Sequence, residues 1–83
     1  MSHHRTEPLN WDELSIQDIL ELAIEDENEA RDYYRHAADL TANPHTRKVL
    51  LDLSEMEQGH ADQLRKELDG YLLQRDLEAG MAD

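Results

Sequence analysis

"AIEDENEARDYYRHAADL", residues 23–40, sets five acidic side chains into the eight residues from Glu25 to Asp32 and then two adjacent tyrosines. With "IQDILEL" before it, the stretch reads as one long amphipathic helix. Steps of four and three along it give Ile16, Leu20, Ala23, Glu27, Ala30, Tyr34, Ala37 and Thr41. These are the positions that face a partner helix. Glu27 stands in the middle of that stripe, whereas Glu25 and Asp32 are free to face water.

"SIQD", Ser15 to Asp18, supplies a capping box for the helix start. "ANPH" supplies the turn, with Asn43 as the next N-cap and Pro44 at the first helical position. The second helix runs from there to about Asp69, and Gly70 ends or bends it. Its own stripe is Leu50, Leu53, Glu57, His60, Leu64 and, slightly off register, Leu68 and Tyr71. No strand signal or low-complexity stretch appears. The expected organisation is all-α: a polar lead-in over 1–14 anchored by Trp11 and Leu14, an antiparallel helical hairpin over 15–70, and a short C-terminal helix or continuation over 71–83.

Both stripes are apolar or small except where Glu27, Glu57 and His60 fall. A buried carboxylate costs several kcal/mol unless paired, hydrogen-bonded or bound to a metal. Arg31 and Arg35 lie toward the seam's edge, so a bound cation is the simplest compensation. Glu57 and His60 form an E-x-x-H pair that projects from one helix face. Four-helix bundles hold two irons or manganese ions with two such pairs and two further glutamates. This chain supplies half of that set. Two copies about a two-fold axis would complete both the site and the bundle.

Bland readings exist for the neighbouring residues. E-x-x-H alone occurs by chance on helical surfaces. Tyr34 reads as a core aromatic, or, beside a metal, as a hydroxyl placed to hydrogen-bond a ligand. Asp26 and Glu29 read as a solvated face or as an outer cation site. Tyr33 and Trp11 read as packing residues, and Met56 as filler.

The composition sets limits. Eighty-three residues make one small domain, marginal alone without disulfides, metal or a partner chain. The absence of cysteine removes disulfides, thiolate metal sites and thiol chemistry and suits a reducing cytoplasm. A net charge of −12 argues against nucleic acid or an anionic membrane surface as partner. No apolar run reaches the length of a membrane span, and "MSHHRTEPLN" lacks the apolar centre of a signal peptide.

"AIEDENEARDYYRHAADLTANP" followed by "LLDLSEMEQGHADQLRKEL" resembles the rubrerythrin-type branch of the ferritin-like superfamily over roughly residues 16–70. The Glu27–Tyr34 interval and the E-x-x-H helix carry the likeness. That superfamily's bundle shows the pattern twice per chain. A single hairpin, with this acidic patch and the thirty-residue interval from Glu27 to Glu57, is similar to the encapsulated ferritins. The resemblance implies that two chains meet to form a di-iron ferroxidase centre from Glu27, Glu57 and His60, with Tyr34 beside it. It implies oxidation of Fe(II) by dioxygen, a metal entry site at Asp26 and Glu29, a ring of dimers, and housing in an encapsulin shell in the cytoplasm. Asp26 is shorter than the glutamate of that subfamily, Tyr33 stands where it has tryptophan, and "LEAGMAD" carries no recognisable cargo-targeting tail. A peroxidase module of the rubrerythrin kind would need a separate electron donor, because the chain has no cysteines for a rubredoxin-type iron centre. A non-catalytic dimerisation module would bind no iron stoichiometrically, and a passive metal-binding module would bind Fe(II) without speeding its oxidation.

Overall fold

The computed structural model describes residues 15–81. The lead-in expected over 1–14, with Trp11 and Leu14, lies outside the described residues. Among those described there are two helices and no strand: α1, Ile16–Leu40, and α2, Pro44–Met81. They pack antiparallel as a hairpin.

The helix ends form where local chemistry places them. Ser15 Oγ accepts the Asp18 amide at 3.1 Å and the Asp18 carboxylate accepts the Ser15 amide at 3.3 Å, a complete capping box. At the turn, Asn43 Oδ1 accepts the Thr46 amide at 3.0 Å, with Pro44 as the first helical residue. Arg47 closes the corner: its Nη2 donates to the Thr41 carbonyl at 2.8 Å and its Nε to the Ala38 carbonyl at 3.3 Å. These carbonyls end α1 and have no partner within the helix itself.

α2 continues through Gly70. That glycine has no positive φ, and a glycine inside a helix costs only about 1 kcal/mol against alanine. Without a left-handed turn or a proline, nothing stops the helix. Residues 71–81 therefore continue α2, one of the two arrangements expected for them. Arg75 Nη1 donates to Gln17 Oε1 at 3.0 Å, which sets the first turn of α1 level with residue 75. Residues 76–81 extend past the described start of α1.

The seam is rotated by one residue from the expected stripe. The α2 contact line is Leu50, Ser54, Glu57, Ala61, Leu64, Leu68 and Tyr71, an unbroken alternation of four and three. Ser54 and Ala61, 2% and 4% exposed, occupy the places expected for Leu53 and His60. Small side chains let the two backbones approach, and the Ser54 hydroxyl donates to the Leu51 carbonyl at 2.7 Å. Facing it on α1 are Leu20, Ile24, Glu27, Arg31, Tyr34, Ala38 and Thr41.

The molecule measures 61 × 27 × 12 Å. Its shortest dimension is one helix diameter, so the hairpin is a single layer, open on both faces. The buried apolar residues are Ile24, Ala30, Ala38, Ala61 and Leu68. Three of these are alanines, too small a core to hold the layer closed on its own. Helical periodicity sorts the faces. One carries Ala23 and Ala37 of α1 with Val49, Leu53, Met56 and His60 of α2. The other carries Arg47, Leu51 and Gln58. None of the described helices is long and apolar enough to cross a membrane.

Candidate metal centre

Glu27 stands at the middle of α1. Glu57 and His60 stand one turn apart on α2, opposite it. His60 Nδ1 lies 3.2 Å from Glu27 Oε2 and 3.1 Å from Glu57 Oε1. One ligand atom from each residue falls within 4.8 Å of the others. The three residues that interrupt the apolar stripes are thus brought to one point.

Their environments differ. The Glu57 side chain is 4% exposed, that of Glu27 19% and that of His60 52%. The one-residue rotation of the seam explains this order. Glu57 faces directly into the helix contact, and His60 is carried onto the open apolar face. A single N–H at Nδ1 would be shared between two carboxylates.

Glu57 Oε2 is buried and has no hydrogen-bond partner. An unbonded buried acceptor costs about 1–3 kcal/mol, and a charged one more. Arg31, on the facing stripe of α1, does not serve it. Arg31 Nη1 donates to Asn28 Oδ1 at 3.1 Å and across the seam to Gln58 Oε1 at 2.7 Å. Its Nε donates to Asp32 at 2.9 Å. Arg31 is therefore a cross-helix tie rather than an edge residue, and it holds the Asp32 carboxyl below its ordinary pKa.

This set fits a transition-metal ion. Two carboxylates and one imidazole converge on the same space, and one carboxylate has an oxygen that nothing among the described residues satisfies. Hard oxygens with an imidazole suit iron, manganese or zinc. Three donors are too few to saturate an ion of this kind, and amount to half the six-residue set of a di-metal bundle.

The other expected residues lie around the cluster. Tyr34 is half-buried, its ring 5.5 Å from that of Tyr33 and tilted by 40°. Its hydroxyl makes no hydrogen bond to Glu27, Glu57 or His60. Asp26 is half-buried and Glu29 exposed. Neither belongs to the converging group. Sequence reasoning passed over Gln63, Leu64 and Glu67 as a set. With Glu27 and His60 they line an open cavity of about 280 Å³. The signal was available, because Glu67 follows His60 by one heptad.

No curated protein and no solved structure matches the chain. Among protein-family models, Rubrerythrin matches residues 18–81, a span holding nearly all of α1, the turn, the whole of α2 and all three converging side chains. An all-helical hairpin with an E-x-x-H helix and an opposed glutamate, matched over most of its length, belongs to the rubrerythrin family of the ferritin-like superfamily.

Proposed function

We propose that this chain is a ferroxidase of the single-hairpin, encapsulated-ferritin kind, whose di-iron centre is shared between two copies. The observation that carries the reading is the buried, half-bonded Glu57, placed against Glu27 and His60. Two copies joined through the face that bears His60 would pool four carboxylates and two imidazoles. The same contact would cover Val49 and Met56, large apolar side chains left exposed on that face.

Fe(II) is the substrate in this reading. The carboxylates of Glu27 and Glu57 neutralise it, and His60 fixes its position beside them. Two Fe(II) together give two electrons to one dioxygen, which takes up two protons and departs as hydrogen peroxide, and both irons leave as Fe(III). The hard oxygen donors favour the ferric product. Mn(II) shares these ligands and would compete. Tyr34 would take its role after a side-chain rotation toward Glu27, and Asp26 and Glu29 would form the entry site. A hairpin dimer has no storage cavity, so mineral storage would require a ring of dimers and an encapsulin shell in the cytoplasm.

The test is oxygen consumption on addition of Fe(II). The wild-type chain should accelerate it, and Glu57→Ala should return it to the rate of free iron. Equal rates for the two proteins would sink the assignment. Family membership favours one second reading, in which hydrogen peroxide is the oxidant at the same residues. Parallel titrations of the Fe(II)-loaded protein with peroxide and dioxygen separate the two.

A further inference from the structure

Every glutamine among the described residues has an acidic residue four positions on. Gln17 donates to Glu21 at 3.2 Å, Gln58 to Asp62 at 2.9 Å and Gln74 to Glu78 at 3.1 Å. Gln63 and Glu67 have the same spacing but do not close on each other. They line the cavity that reaches Glu27 and His60, with Leu64 between them. Among the described residues Glu67 has no hydrogen-bond or ion-pair partner. It is a carboxylate on the face that carries His60, Gln63 and exposed apolar side chains.

We propose that Glu67 is a waypoint for a hydrated divalent cation on its way to the centre, with Gln63 as its accessory oxygen donor. The cavity is the passage. This inference rests on the metal-centre reading above and adds a residue and a route to it.

Two magnitudes support it. Glu67 stands one heptad, about 10.5 Å of helix, beyond His60, and it is not among the residues whose ligand atoms converge at the centre. Glu67 is therefore a separate stop rather than a further ligand of the centre. A cation with six waters occupies about 180 Å³ at roughly 30 Å³ per water. The cavity of about 280 Å³ admits such an ion without stripping its water first. Glu57 does not itself line the cavity but is hydrogen-bonded to His60, which does, and its unsatisfied carboxylate oxygen is where the ion gains most by shedding water. If a second copy covers this face, the open groove becomes a passage between the chains.

The experiment uses the full chain and Co(II) as the probe, whose visible absorption reports the ligands it acquires. Stopped-flow mixing gives the loading rate, and titration gives the stoichiometry. For Glu67→Gln we expect unchanged stoichiometry and final spectrum, with loading slower by roughly threefold or more and less sensitive to salt, as loss of electrostatic steering predicts. Glu55→Gln removes the same charge from an exposed residue that lines no part of the cavity, and should load at the wild-type rate. Circular dichroism checks that both variants fold. Loading by Glu67→Gln at the wild-type rate overturns the proposal while leaving the centre intact. Lower stoichiometry in Glu67→Gln also overturns it, because Glu67 would then be a ligand. If wild type and Glu57→Ala give the same Co(II) spectrum, the metal-centre reading fails and this proposal falls with it.

Discussion

Glu57 keeps one oxygen on His60, and the other has no partner among the described residues. In the metal-free chain that arrangement weakens the fold, and the variant Glu57→Leu tests it directly. Replacing the carboxylate with an apolar side chain of similar length removes the unsatisfied group. We expect metal-free stability to rise by about 1 kcal/mol, a gain of roughly 4–8 °C in melting temperature for a chain of this size. Stabilisation by added metal should disappear in the same variant. Thermal unfolding with and without Fe(II) measures both, and a destabilised, still metal-responsive variant would contradict the role of Glu57. Asp32 behaves differently. Hydrogen bonding to Arg31 holds its carboxyl below the ordinary value, so its contribution is present above the unfolded-state pKa. It is lost as pH falls through the lowered value. The pair is largely exposed on the Asp32 side, which limits the effect to a few tenths of a kcal/mol. Asp32→Asn should therefore narrow the gap between urea midpoints at neutral and acid pH only slightly. A large change would mean that Arg31 relies on Asp32 more than on Gln58.

Each helix can be tested at its punctuation. Ser15→Ala removes the hydroxyl half of the capping box and should cost about 1 kcal/mol, read from urea unfolding. Gly70→Ala should stabilise by roughly 0.5–1 kcal/mol, because a Cβ there meets nothing within 4 Å and the backbone needs no positive φ. Destabilisation by Gly70→Ala would instead mark a break in α2. The caps were legible in the sequence because they depend on residues three or four apart: Ser15 with Asp18, and Asn43 with Thr46. The stripe was legible to within one residue. Leu53 and His60 lie beside Ser54 and Ala61, and hydrophobicity alone favours the leucine. What decides between them is how closely two backbones can approach, a property of the pair of helices rather than of either sequence. Glu57 was found because it lies on both the expected and the observed stripe. Glu67 was missed because its significance depends on the cavity, and cavities are set by packing. Gly70 reads equally as a stop or as an interior residue until its φ is known.

Two open faces on a layer 12 Å thick make assembly the question at the scale of the whole molecule. The faces are not equivalent. Met56 precedes the cavity-lining Gln63 by one heptad, whereas Leu51 precedes Gln58, the partner of Arg31, by the same interval. Both Met56 and Leu51 are exposed. A second copy docked over His60 would cover Met56 and leave Leu51 in water. Met56→Glu should therefore shift the protein toward monomer in light scattering, and Leu51→Glu should not. Equal effects from the two would place the contact elsewhere. The most direct test of a centre shared between chains is native mass spectrometry of the full-length protein, with and without anaerobic Fe(II). The account predicts an even-numbered assembly that takes up about two irons per pair of chains. A monomer, or an assembly whose mass does not change on adding iron, would contradict it.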